Sequence, residues 1–128
     1  MDELTLYERI LGLQKPWTVE HVELSEDGVV HVYIEHDRDT ETLCPECKRP
    51  CPRYDTRDKS WRHLDTCQYQ TIVHGAVPRT QCPDHGVLQV TVPWAERNSR
   101  FTLLFEAMAI RWLQEASINA VSRQLGVS

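Results

Sequence analysis

Cys44-Pro45-Glu46-Cys47 and Cys82-Pro83-Asp84-His85 are the two stretches on which the reading of this chain turns. Each offers two metal-ligating side chains with two residues between them. That spacing lets both side chains of a tight turn reach one ion. Together the two knuckles supply three thiols and one imidazole, a complete tetrahedral set for zinc. Proline after each first cysteine fixes φ and favours the turn. Gly86 follows His85, where such a knuckle needs φ > 0. Cys44, Cys47, Cys82 and His85 are therefore the expected ligands of one zinc ion. Four protein ligands leave no open coordination position, so the ion is expected to be structural, with no catalytic residues around it.

The cysteines admit other readings. A lone Cys-x-x-Cys can be a redox pair, but such pairs open a helix, and Arg49, Pro50 and Pro52 oppose one here. A disulfide framework fits poorly with five cysteines and no sign of secretion. Cys51 lies close enough to compete with Cys44 or Cys47 as a ligand, and that alternative stays open. Cys67 reads as a small buried apolar residue. His63 has no partner at ligand spacing.

Working outward, 128 residues allow one domain or two very small ones. No stretch approaches the roughly 18 apolar residues of a membrane span. Met1-Asp2-Glu3 is acidic and lacks a basic region followed by an apolar run, so no signal peptide is expected. A reducing cytosol suits thiols that hold metal. The net charge of −5 is unevenly spread: residues 1–43 carry −8, residues 44–82 carry +3, and the remainder is neutral. Acidity is thus confined to the first third. The segment between the knuckles carries Lys48, Arg49, Arg53, Arg57, Lys59, Arg62 and Arg79, which are candidate phosphate contacts. Trp61 could stack on a base, although a tryptophan in so small a unit reads first as core.

Before the first knuckle, Leu4, Tyr7, Ile10 and Leu11 form one apolar stripe of a short helix, closed by Gly12. Asp27-Gly28 joins two β-rich runs, 17–24 and 29–35, as a hairpin. In the second run Val30, Val32 and Ile34 alternate with His31, Tyr33 and Glu35, a half-buried strand. His21, His31 and His36 read as polar residues rather than ligands. After the knuckle, 50–59 reads as basic and irregular, and 61–65 as a brief extended element. Residues 69–79 read as a strand interrupted by Gly75 and Pro78, and 87–92 as another strand. Two knuckles on separate turns joined by short strands describe a zinc ribbon, with little core and heavy dependence on the metal.

From Ser99 the composition changes. Phe101, Leu104, Phe105, Met108 and Trp112 follow helical spacing, with Asn98 or Ser99 as cap. A second helix begins at the cap Ser117, with Ile118, Val121 and Leu125 on its inner face. Val121-Ser122-Arg123-Gln124-Leu125-Gly126-Val127-Ser128 fits the middle of a helix-turn-helix, with Gly126 left-handed in the turn and Ser128 capping a following helix. The expected architecture is α+β: a β-rich zinc ribbon over residues 1–97 with a short N-terminal helix, and a helical segment over 98–128 that begins a helix-turn-helix.

Cys-Pro-Glu-Cys, Trp61-Arg62-His63-Leu64-Asp65, Cys-Pro-Asp-His-Gly, Val92-Pro93-Trp94 and the final Leu-Gly-Val-Ser occur in an order that resembles the N-terminal zinc-finger region of insertion-sequence transposases of the ISL-three family. The resemblance covers roughly residues 17–128. It implies a module that binds double-stranded DNA at the element's terminal inverted repeats, in the service of DNA recombination by transposition. It also implies a longer catalytic domain of the same protein as partner, with no counterpart of the catalytic carboxylates here, so that this chain by itself is not expected to be an enzyme. A homodimer is a further assembly it allows, and association with the nucleoid follows from DNA binding. Many relatives close the zinc set with another cysteine where His85 stands here. The competing reading is a zinc-stabilised protein-interaction or oligomerisation module that does not touch DNA, which the net charge favours. A thiol-redox or hydrolytic enzyme would need a reactive thiol or an open metal position.

Overall fold

Residues 2–127 are described by the computed structural model. The chain opens with helix α1, Glu3–Leu11. The Asp2 carboxylate accepts the Thr5 N–H at 2.9 Å, and Gly12 closes the helix at φ 69°. Tyr7 and Leu11 of the expected stripe are buried, whereas Ile10 is exposed. Strands β1 (Trp17–Leu24) and β2 (Val29–His36) form the expected hairpin, with Val30, Val32 and Ile34 facing inward.

A two-stranded ribbon, β3 (Thr42–Leu43) with β4 (Pro50–Cys51), carries the first knuckle. Strands β5 (Arg53–Thr66) and β6 (Tyr69–Cys82) then form one long antiparallel hairpin. β7 (Gly86–Gln89) folds back on the end of β6. The main sheet runs β1-β2-β6-β5, with β2 and β6 parallel. The result is an α+β fold with a zinc-ribbon-like end.

Two expectations change here. Residues 53–59 are not irregular but half of a fourteen-residue strand. Their polar side chains hide it from periodicity, because β5 is an edge strand exposed on both faces until Trp61. β6 is likewise unbroken. Its second edge is shared by β2 up to Gly75 and by β7 from Arg79. Pro78 falls in the gap between them. Its carbonyl accepts Val90 N–H at 3.0 Å, so its missing N–H points to the β7 side, just past the last β6–β7 pair, and not toward β5. Gly75 is required by close approach: a Cβ there would lie 3.2 Å from the Trp61 ring and 3.3 Å from the Trp94 ring.

Those rings sit at the centre of the core. Trp94 meets Trp17 and Trp61 edge-on, at 5.0 and 5.2 Å. Val32, Val73 and Val77 pack beside them, fully buried. Cys67, expected to be buried, is exposed instead, at φ 57° in the β5–β6 turn.

Helices α2 (Leu103–Glu115) and α3 (Ile118–Leu125) dock on β5. The cap of α2 is Thr102, not Asn98 or Ser99, because Phe101 is still extended and bridges Arg62. Arg62 N–H donates to Arg100 O, and Thr102 N–H to Arg62 O. Ser117 caps α3 as expected, and Gly126 takes φ 68°. Val121 and Leu125 are buried with Phe105, but Ile118 is 72% exposed and not on the inner face. The capping role expected of Ser128 falls outside the described residues. Among the described residues no helix is long and apolar enough to cross a membrane.

Candidate metal centre and basic surface

The two knuckles meet because β6 is long enough to carry Cys82 back to the β3–β4 ribbon. Pro52 O accepts Gln81 N–H at 2.9 Å and fixes that approach. In the first knuckle Cys44 O accepts Lys48 N–H at 2.8 Å, and Cys44 N–H donates to Arg49 O at 3.0 Å. The second is the tight β6–β7 connection, where Cys82 pairs with Gly86. Both need a left-handed residue just after their second ligand. Gly86 supplies it at φ 76°, and Lys48 at φ 64°. The lysine gives no sequence signal for that conformation.

The candidate ligand atoms of Cys44, Cys47, Cys82 and His85 all lie within 4.8 Å of one another. Cys47 Sγ is 3.8 Å from Cys82 Sγ. His85 Nδ1 is 3.7 Å from Cys44 Sγ and 3.4 Å from Cys82 Sγ. With Zn–S near 2.3 Å and Zn–N near 2.0–2.1 Å, a tetrahedron has edges of about 3.8 Å (S to S) and about 3.5 Å (S to N). The spacings are those of ligand-tetrahedron edges rather than of hydrogen bonds, so the donor set fits zinc in both chemistry and size.

The electrostatics agree. Burial pushes the Cys82 thiol up, but the Asp84 and His85 backbone N–H groups, the His85 ring and Cys47 together bring it down to about 6. Arg49 Nε donates to Cys47 Sγ at 3.4 Å and lowers that thiol as well. Arg49 also ion-pairs with Asp84 of the other knuckle, clasping the two halves. Cys51 is buried against Cys44 and Cys82, and burial raises its thiol. It lies beside the four-residue group, not within it. His63 is elsewhere: its Nδ1 meets Thr102 Oγ1 at 2.7 Å, and burial lowers its pKa to about 4.

The other histidines are polar surface, in an unexpected arrangement. His21 stacks on Tyr33, Tyr33 on His74, and His31 Nδ1 lies 2.8 Å from His74 Nε2. His36 meets Trp17 edge-on.

The seven candidate phosphate contacts separate into three kinds. Arg62 is 9% exposed. Its Nη2 donates to Asp65 Oδ1 at 2.9 Å and to Leu125 O at 2.7 Å, and its guanidinium lies over Phe105. It ties α3 to the sheet and has no path to a phosphate. Arg79 is held by Asp55 through two bonds, Arg49 by Asp84, and Arg57 lies 3.6 Å from Asp55. Lys48, Arg53 and Lys59 have no carboxylate within ion-pair distance among the described residues. Arg53 contacts His36 instead, at 3.1 Å. Trp61 is core, 4% exposed.

Comparison with known proteins agrees with this geometry. Residues 40–85 match the model of the zinc-finger of transposase IS204/IS1001/IS1096/IS1165, and residues 90–128 that of the helix-turn-helix domain of transposase family ISL3. Transposases for insertion sequence element IS1557 from two strains of Mycobacterium tuberculosis, CDC 1551 / Oshkosh and ATCC 25618 / H37Rv, are each 28% identical over 123 residues. That alignment takes in 91% of this chain but 28% of either relative. No solved structure matches the chain.

Proposed function

We propose, from a chain that carries the N-terminal zinc-finger and helix-turn-helix regions of an ISL3-family transposase, that it recognises DNA at the ends of a transposable element. Cys44, Cys47, Cys82 and His85 hold one zinc ion. The ion shapes the tip of the β3–β4 ribbon and the β6–β7 turn and does no chemistry, since four protein ligands exclude a substrate position. Residues 1–97 and 98–128 act as two units of one recognition module. DNA cleavage and joining belong to a further catalytic domain of the same protein, which works on DNA in the cytoplasm.

The observation that supports this best is the Arg62 junction. One guanidinium grips both the sheet and the last carbonyl of α3, so the zinc unit and the helix pair present themselves to a duplex in one fixed relation. On the duplex, phosphate contacts then fix register and base contacts supply specificity. The test is elemental analysis of natively purified protein, followed by binding to duplexes from the encoding element's terminal repeats and to shuffled controls. One zinc per chain, and tighter binding to the repeats, is the expected result. Protein without zinc, or equal and weak binding throughout, overturns the reading.

A second reading rests on a different observation. Leu104, Ile110, Trp112 and Leu113 of α2 are large, apolar and 41–57% exposed. Such a surface suits contact with protein, either the catalytic domain or a second copy. Sedimentation of the zinc-loaded chain distinguishes a monomer from a homodimer.

A further inference from the structure

A cleft of about 590 Å³ lies between the first knuckle and the loop that leads into α2. Its walls come from both family-matched regions. Glu46, Lys48 and Lys59 stand on one side, and Glu96, Arg97 and Arg100 on the other. Four cations thus face two carboxylates in a chain whose net charge is −5. The pairing matters more than the count. Among the described residues Lys48, Lys59 and Arg100 have no carboxylate within 4.0 Å. Arg97 has only Glu46, at 3.5 Å, and both side chains are more than half exposed. Such a surface pair is weak and readily exchanged. The larger hollow lined by Arg38 and Arg53 shows the opposite balance, with Glu20, Glu35, Asp37 and Asp58 around two arginines. Three cations without a carboxylate partner and one with a weak one therefore share a single concave place, where the zinc unit meets the helical unit.

We infer that this cleft receives the sugar-phosphate backbone of duplex DNA, with Lys48, Lys59, Arg97 and Arg100 as its phosphate contacts. The inference rests on the DNA-binding reading above and adds where the backbone lies. It brings in Arg97 and Arg100, which sit in a neutral part of the sequence, outside the basic segment between the knuckles. Contacts here are to phosphate and carry no base information, so they set register and overall affinity.

The test is fluorescence anisotropy of the zinc-loaded full chain with a labelled duplex from the terminal repeat and one of shuffled sequence, over a salt series. Each neutralised phosphate contributes about −0.9 to the slope of log K against log salt. The triple variant Lys59→Ala, Arg97→Ala, Arg100→Ala is expected to flatten the slope by roughly 2–3 and to weaken both duplexes by the same factor. The control Arg9→Ala, Lys15→Ala is expected to keep the wild-type slope. All three cleft positions are exposed, so zinc content and circular dichroism should match the wild type. Should the triple variant fold poorly, Lys59→Ala and Arg100→Ala singly are each expected to remove about 1 from the slope. An unchanged slope while the wild type binds overturns the cleft assignment alone. A loss confined to the terminal-repeat duplex overturns the backbone role. Failure of the wild type to bind any duplex at low salt overturns the DNA-binding reading, and this inference with it.

Discussion

The two ends of the main sheet are stabilised differently. At one end thirteen buried residues from α1, β1, β2, β5, β6 and the segment around Trp94 pack together, three of them tryptophans in edge-on contact. At the other, the buried cluster consists of Cys44, Cys51 and Cys82, with Cys47 and Leu88 packed against it. The first is an ordinary apolar core, able to offset its own conformational entropy. The second buries too little to do so and needs a cation. β6 runs through both. The expectation of little core across the whole β-rich region is therefore corrected, and only the tip is left to depend on a metal. The sheet below it has a core of its own, which a scatter of tryptophans in sequence did not reveal.

Removing the metal is the strongest way to break this contrast. Structural zinc contributes on the order of 10 kcal/mol in isolated fingers. Chelation, or Cys47→Ser, is expected to release amide protection over 42–52 and 80–88 while the near-ultraviolet signal of the tryptophan cluster persists. Joint loss of both signals would show that the two ends are one cooperative unit. The converse experiment is Trp94→Ala. It should cost about 3–5 kcal/mol in urea unfolding and leave zinc stoichiometry unchanged in the folded protein.

A smaller effect separates the ends by pH. His63 is buried beside Thr102, with its pKa held at about 4 by burial. Thr102 Oγ1 accepts Phe105 N–H, so its hydroxyl is free to donate to a neutral His63 ring. The unfolded chain takes up this proton near pH 6.5, and the folded chain only near 4. Stability from this group is thus complete above 6.5 and declines as pH falls from 6.5 to 4, by about 3 kcal/mol. The ligands of the metal also protonate in acid, so the measurement compares wild type with His63→Gln over the same range. The variant should lose less stability on acidification, and parallel curves would remove His63 from the account. The smallest change is Cys67→Gly. It relieves a left-handed residue at φ 57° and is expected to raise the melting temperature slightly, corresponding to about 0.5–1 kcal/mol.

The knuckle residues, the hairpin at Asp27-Gly28, the alternation of β2, the first helix and the Ser117 cap are local facts. Spacing, turn chemistry and period determine them, so the sequence by itself carried them. It also carried the resemblance that the family matches bear out. Tertiary structure alone decided the rest. The exposed edge strand β5 has no buried face over 54–60 to imprint a pattern. Gly75 and Pro78 read as breaks until the tryptophans and the gap between β2 and β7 are in place. Lys48 takes a conformation its side chain disfavours because the knuckle closes around it. Arg62 belongs to a basic run in sequence but is drawn inside by Asp65 and the end of α3, while Arg97 and Arg100, unremarkable in sequence, are brought to face Lys48 and Lys59. Charge and period are properties of neighbours along the chain. Burial and pairing depend on neighbours across it, and only the folded molecule specifies those.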